Sequence, residues 1–127
     1  MSEIRICNSA TAFLDDVAFE RFKYRRFIFT PEFAGELASE CEFESSYWND
    51  ETVRELAYAM EEGLWNPDRS YFPIVFDPFG VCLDGAKRIV ACALSGKPVQ
   101  MNVLVATDKE LSAGRDSILA RIRRGAR

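Results

Sequence analysis

The residues best suited to chemistry form one short run, Asp84-Gly85-Ala86-Lys87-Arg88, which is followed by an apolar segment ending at Leu94. This pattern predicts a helix with two cations in its first turn. A helix N-terminus carries partial positive charge and unpaired N–H groups, so Lys87 and Arg88 are unfavourable there unless an anion joins them. Phosphate is such an anion, and we predict a phosphate or nucleotide site over residues 84–88.

The same run also has an explanation that needs no ligand. Asp84 is a good N-cap residue, Gly85 eases the turn into the helix, and the Asp84 carboxylate partly offsets the two cations. Capping and anion binding can coexist, so both interpretations stay open. Magnesium could assist a nucleotide, and Asp84 is the nearest candidate ligand for it, although capping would compete for the same carboxylate.

The composition argues against several classes of enzyme. The chain has 127 residues, of which 48% are hydrophobic, enough for one globular domain over 1–127 and too few for two. It contains no histidine, which removes Ser-His and Cys-His nucleophile pairs, the usual zinc ligand sets and the commonest general base. Carboxylates such as Glu61 and Glu62 are adjacent on a predicted helix and diverge. An enzyme is therefore the least supported class, and no catalytic residue is assigned.

The cysteine spacing indicates the cellular compartment. Four cysteines are widely separated and form no Cys-x-x-Cys pair, which fits reduced thiols in a core. No window approaches the roughly 20 apolar residues of a membrane helix, and the polar start lacks the layout of a secretory signal. We expect a soluble, cytoplasmic protein with no membrane contact.

Charge is unevenly distributed along the chain. The net charge is −4, but residues 111–127 hold five arginines against one aspartate, so this tail carries +4 and the remainder −8. A second basic region, residues 21–26, alternates with aromatic residues. Such patches can contact nucleic acid, and a solvated strand edge or helix end explains them equally well. The candidate contacts are Arg21, Lys23, Arg25, Arg26, Arg121, Arg123 and Arg124.

Hydrophobic periodicity and turn residues predict a core over about residues 22–106, followed by a basic helix over 108–124. Thr30 and Pro31 are typical of a helix start, as are Asn49-Asp50-Glu51, while Asp77-Pro78-Phe79-Gly80 has the order of a type I turn within a hairpin. Residues 42–48 are predicted to be a loop. The predicted strands cover 22–29, 71–76, 81–83 and 99–105, and the predicted helices cover 31–41, 50–63 and 86–95.

The order of these parts from Thr30 to Val105 resembles the ParB/sulfiredoxin-like fold, in a compact variant found in phage and mobile-element proteins. The resemblance implies a single α+β domain with a small mixed sheet packed against helices. The matching stretches are 30–34 (Thr-Pro-Glu-Phe-Ala), 55–65 (Glu-Leu-Ala-Tyr-Ala-Met-Glu-Glu-Gly-Leu-Trp), 73–77 (Pro-Ile-Val-Phe-Asp), 80–85 (Gly-Val-Cys-Leu-Asp-Gly), Arg88 and 95–99 (Ser-Gly-Lys-Pro-Val).

The resemblance also bears on the 84–88 loop. In the compact variant this loop usually has the order Asp-Gly-Gln-His-Arg, and in ParB proteins the equivalent turn is an arginine-rich grip for nucleotide phosphates. Gly85 and Arg88 keep their places here, and Lys87 replaces the histidine. Ala86 stands where sulfiredoxin carries its reactive cysteine, so sulfiredoxin chemistry is not expected, and Cys82 is predicted to be a buried strand thiol. No helix-turn-helix domain follows, so sequence-specific DNA binding is not expected.

Three functions follow from these features. The first is non-catalytic binding of a nucleotide or phosphate at residues 84–88, in a phage or mobile-element accessory protein. The second is a degenerate copy of the fold that binds a host protein through loop aromatics, namely Phe43, Tyr47, Trp48 and Phe79. The third is nonspecific nucleic-acid binding through the basic strand and arginine tail. The oligomeric state and the nucleotide are left open.

Overall fold

The computed structural model describes residues 4–68 and 73–106 as a mixed α/β domain with a five-stranded sheet and four α-helices. A 3₁₀ helix, Ser45–Asn49, precedes the third α-helix. In chain order the other elements are β1 (Arg5–Cys7), α1 (Ala10–Ala18), β2 (Tyr24–Phe29), α2 (Pro31–Glu40), α3 (Glu51–Glu61), β3 (Ile74–Phe76), β4 (Cys82–Asp84), α4 (Ala86–Ser95) and β5 (Val99–Val105).

The strand order across the sheet is β1-β2-β5-β3-β4. β1 runs parallel to β2, and β5 lies between an antiparallel β2 and a parallel β3. β4 pairs antiparallel with β3 at the far edge. Strand β5 therefore joins two halves of the sheet that are separated along the chain.

One sheet face carries the main core. Alternate residues of β2 and β5 point to it, as shown by the register pairs Phe27 with Met101 and Phe29 with Val99, all of which are buried. Residues from all four α-helices share this buried cluster. Helix α4 packs against both α2 and α3. Its first turn lies near α3 and the edge strand β4, because residues of all three elements line one cleft.

The helix starts confirm most of the predicted caps. The Thr30 hydroxyl accepts the Phe33 N–H at 3.1 Å, with Pro31 in the first helical position, and the Asp50 carboxylate accepts the Val53 N–H at 3.1 Å. The predicted Asp84 cap is wrong, because Asp84 is still paired with Val75 in the β3–β4 ladder and Gly85 occupies the N-cap position of α4.

The predicted hairpin between β3 and β4 is confirmed. Its turn is closed by a hydrogen bond from the Gly80 N–H to the Asp77 carbonyl at 3.1 Å. The Asp77 carboxylate also accepts the N–H groups of Phe79 and Val81 at 2.9 and 3.0 Å. The turn therefore delivers β4 in a fixed position beside the start of α4.

Two elements, β1 and α1, precede the first strand predicted from the sequence. Helix α1 begins with a Ser9 hydroxyl cap and inserts Phe13 into the centre of the core. The Phe13 ring meets those of Phe27 and Phe76 edge-on, with ring centroids 5.6 and 5.4 Å apart. The 3₁₀ helix replaces part of the loop predicted over 42–48. The predicted basic helix over 108–124 lies outside the described residues.

Candidate functional site

A cleft of about 590 Å³ lies between α3, the edge strand β4 and the first turn of α4. It includes every residue of the predicted 84–88 site, so the fold opens this run to a space that a small molecule can enter. The remaining lining residues are Tyr47, Thr52, Glu55, Leu56, Ala59, Cys82 and Leu83.

Gly85 shapes the wall of this cleft. Its φ of 102° lies in the left-handed region, which L side chains rarely adopt. A Cβ at this position would lie 2.8 Å from Ile74 Cγ1 and 3.1 Å from an Arg88 guanidinium nitrogen. The loop thus requires glycine for its backbone and for its close approach to β3. Because glycine has no side chain, Gly85 itself provides no side-chain cap for the first turn of α4.

Lys87 is the accessible cation of the site. Its side chain is 45% exposed, and its Nζ lies 3.1 Å from an Asp50 carboxylate oxygen and 5.5 Å from the Tyr47 ring centroid. The hydrogen bond from Lys87, together with that from the Val53 N–H, holds the pKa of Asp50 below its usual value. One carboxylate therefore caps α3 and pairs with the cation of the predicted site.

Arg88 has a different environment from Lys87. Its side chain is only 12% exposed, and a guanidinium nitrogen lies 3.7 Å from an Asp84 carboxylate oxygen. The Arg88 guanidinium packs against the loop, close to the position that a side chain at residue 85 would occupy. Two cations and the carboxylates of Glu55 and Asp84 line the cleft, so its charge is nearly balanced rather than strongly positive.

Cys82, predicted to be a buried strand thiol, lies on β4 and is only partly buried, because its side chain borders the cleft. Its Sγ donates to the Asp84 carbonyl at 3.4 Å, and burial raises its pKa to about 12. A thiol with a raised pKa is protonated near neutral pH, which disfavours a role as a nucleophile. Within residues 4–68 and 73–106, no three acidic, cysteine or histidine side chains converge as a metal site.

The basic residues predicted to contact nucleic acid have partners within the domain. Arg21 donates to Asp16 at 2.8 Å, Lys23 to the Val105 carbonyl at 3.0 Å, and Arg26 to Asn102 at 2.9 Å. The Arg25 guanidinium lies 5.6 Å from the Phe27 ring centroid. Each of these four residues therefore has a contact within the domain, although Arg21 and Lys23 are also exposed. The other three candidates, Arg121, Arg123 and Arg124, lie outside the described residues.

The loop aromatics divide into two kinds. Phe43 and Tyr47 are partly buried against the core, whereas Phe79 is 83% exposed at the tip of the β3–β4 turn. Trp48 is moderately exposed beside the cleft residue Tyr47. Sequence reasoning did not anticipate that Tyr47 would contact Lys87, because the two are forty residues apart and nothing local connects them.

The protein is a small mixed α/β domain in which the loop at Gly85 leads into α4 and places the partly exposed Lys87 side chain at a cleft. Comparison with family models, curated proteins and solved structures gave no match to this chain. No helix in the described part of the chain is both long enough and apolar enough to cross a bilayer.

Proposed function

We propose that this chain is a ParB/sulfiredoxin-like domain of a phage or mobile element, and that it binds a phosphate-bearing small molecule, a nucleotide, in the cleft at residues 84–88. One observation carries the proposal: Gly85, the first turn of α4 and the partly exposed Lys87 side chain all border the same open space. Backbone N–H groups at a helix start and a lysine point charge together form a common phosphate environment.

The proposal assigns distinct roles to the loop residues. Gly85 lets the backbone approach the phosphate, and Ala86 adds little bulk at the start of the helix. Lys87 supplies the charge that meets the anion, while Arg88 holds the loop in shape through its contact with Asp84. The partly apolar wall formed by Tyr47, Leu56 and Leu83 provides a surface for the nucleoside.

Calorimetric titration with ATP, CTP and GTP, each with and without magnesium, tests this function. Lys87→Met should weaken binding at least about tenfold, because a charge-assisted contact to phosphate is lost. Lys97→Met is the matched control, since it removes the same charge from an exposed position beyond the other end of α4. Arg88 is left intact because replacing a largely buried side chain would confound affinity with folding.

Wild-type protein that binds none of the nucleotides overturns the proposal. Equal losses in the Lys87 and Lys97 variants also overturn it, since they would reflect overall charge rather than this cleft. The protein-interaction and nucleic-acid hypotheses stay predictions, the first tied to exposed Phe79 and the second weakened by the internal partners of the basic strand residues.

A further inference from the structure

Asp50 forms the contact that an incoming anion at Lys87 must compete with. Its Oδ2 lies 3.1 Å from Lys87 Nζ, while its Oδ1 accepts the Val53 N–H at 3.1 Å. The Asp50 side chain is about one quarter exposed. The helix cap through Oδ1 holds this side chain in place, and its second oxygen lies beside the lysine ammonium.

The Tyr47 ring also contacts the Lys87 ammonium. It belongs to the 3₁₀ helix that immediately precedes Asp50, and Lys87 Nζ lies 5.5 Å from its ring centroid. The ammonium is therefore held from the α3 side by a charge and a ring that belong to one continuous segment, 47–50. Both Lys87 and Tyr47 line the cleft, so the ammonium and the ring border the same open space.

We infer that Asp50 is an affinity-setting residue of this cleft, an internal carboxylate that occupies the lysine until a ligand anion displaces or joins it. The inference rests on the proposed function and adds its regulation. An anion must compete with a carboxylate fixed about 3 Å from the same ammonium, which lowers its apparent affinity. The cap on α3 is kept throughout, because it uses the other carboxylate oxygen.

Asp50→Asn separates the two duties of the side chain. Asparagine caps helices about as well as aspartate, so α3 should start normally while the charge on Lys87 is released. The probe is inorganic pyrophosphate, followed by the tightest-binding nucleotide, titrated calorimetrically. We expect binding to tighten about threefold, in the range set by partly exposed ion pairs. Asp50→Ser provides a second capping variant without the charge.

Glu55→Gln is the matched control. It removes one negative charge from the lining of the same cleft without touching the Asp50–Lys87 pair. If the gain in affinity comes only from a more positive cleft, Glu55→Gln and Asp50→Asn should tighten binding equally, and the inference fails. A clearly larger gain for both Asp50 variants supports it.

Proton uptake gives an independent readout. Lys87 holds the pKa of Asp50 down, so drawing Lys87 onto a ligand should raise that pKa and make binding take up a proton in the acid range where Asp50 titrates. Calorimetry in buffers of different ionisation enthalpy measures this uptake, which should be smaller in Asp50→Asn than in wild type. Equal uptake in both contradicts the inference.

The outcomes separate this inference from the proposed function. Equal affinity of wild type and Asp50→Asn overturns the inference and leaves the function standing. Binding by Asp50→Asn with none by wild type overturns the proposed function, and the inference with it, because Asp50 would then exclude the ligand rather than set its affinity. Binding by neither protein overturns both.

Discussion

At the residue scale, Gly85 contributes most to the cleft. Its backbone angle requires glycine, and its missing side chain leaves room for Ile74 and the Arg88 guanidinium to approach. Two separate penalties, backbone strain and steric overlap, therefore oppose any substitution there. The sequence indicated a role for Gly85, but only as a residue that eases the turn after an Asp84 cap. Asp84 belongs instead to β4, whose length depends on its pairing with β3, and no local sequence pattern predicts that pairing.

Gly85→Ala should lower the free energy of unfolding by about 2–3 kcal/mol, through left-handed strain plus a Cβ contact at 2.8 Å with Ile74. Gly96→Ala is the matched control, since Gly96 also has positive φ, at the other end of α4, but a Cβ there meets nothing within 4 Å. Its loss should be only about 1 kcal/mol. Urea unfolding followed by circular dichroism measures both, and equal losses would contradict the role given to Ile74.

At the element scale, the sequence predicted β2 to β5 and α2 to α4. Thr30-Pro31 and Asp50 mark helix starts, and Asp77 to Gly80 marks a turn, because caps and turns depend on neighbouring residues. β1 and α1 were missed. β1 has only three residues and one buried side chain, and the buried positions of α1 include the charged Asp16, which interrupts its apolar pattern.

An ionic cluster around Asp16 connects β1 to α1. Arg5 of β1 and Arg21 after α1 both donate to the Asp16 carboxylate, which is largely buried. Burial alone would raise the pKa of Asp16, but the hydrogen bond from Arg21 and the charge of Arg5 outweigh burial and hold the pKa below its usual value. A carboxyl group whose pKa is lower in the folded state than in the unfolded state stabilises the fold at pH values above the unfolded-state pKa. This contribution is lost as pH falls through the folded-state pKa.

Asp16→Asn should therefore cost about 1–3 kcal/mol at pH 7, because two guanidinium groups lose their shared carboxylate. The difference from wild type should be smaller at pH 3, which lies below the usual pKa of an aspartate, because the contribution of a carboxyl group with a lowered folded-state pKa declines below that pH. Urea unfolding at both pH values measures it. Asp15→Asn, at the exposed neighbouring position, should change stability little at either pH, and a gap for Asp16→Asn that is independent of pH would be inconsistent with the cluster.

At the scale of the whole molecule, the cysteines are part of the packing. All four are free thiols, and burial raises the pKa of Cys41 to about 11 and that of Cys7, Cys82 and Cys92 to about 12. The sequence predicted reduced thiols from spacing alone. Their burial depends on which faces the sheet and helices turn inward, and that is set by the tertiary fold.

The folded protein should react with a chromogenic disulfide reagent at pH 8 at least about a hundredfold more slowly than a free cysteine, because little thiolate is present. In guanidinium chloride the full complement of four thiols should react at the normal rate. Absorbance of the released thiolate measures both. A thiol that reacts quickly in the folded protein would contradict the packing described for it.

The position of β5 in the sheet has a consequence for synthesis on the ribosome. This strand is the latest described element in the chain, yet it occupies the centre of the sheet, with β2 on one side and β3 on the other. Until residue 105 has emerged, the nascent chain holds two short strand pairs that are too small to be stable alone. Phe27, Phe29, Ile74 and Phe76 are all fully buried in the folded domain and lack their β5 partners until then, so the nascent chain exposes an aggregation-prone apolar surface until β5 arrives.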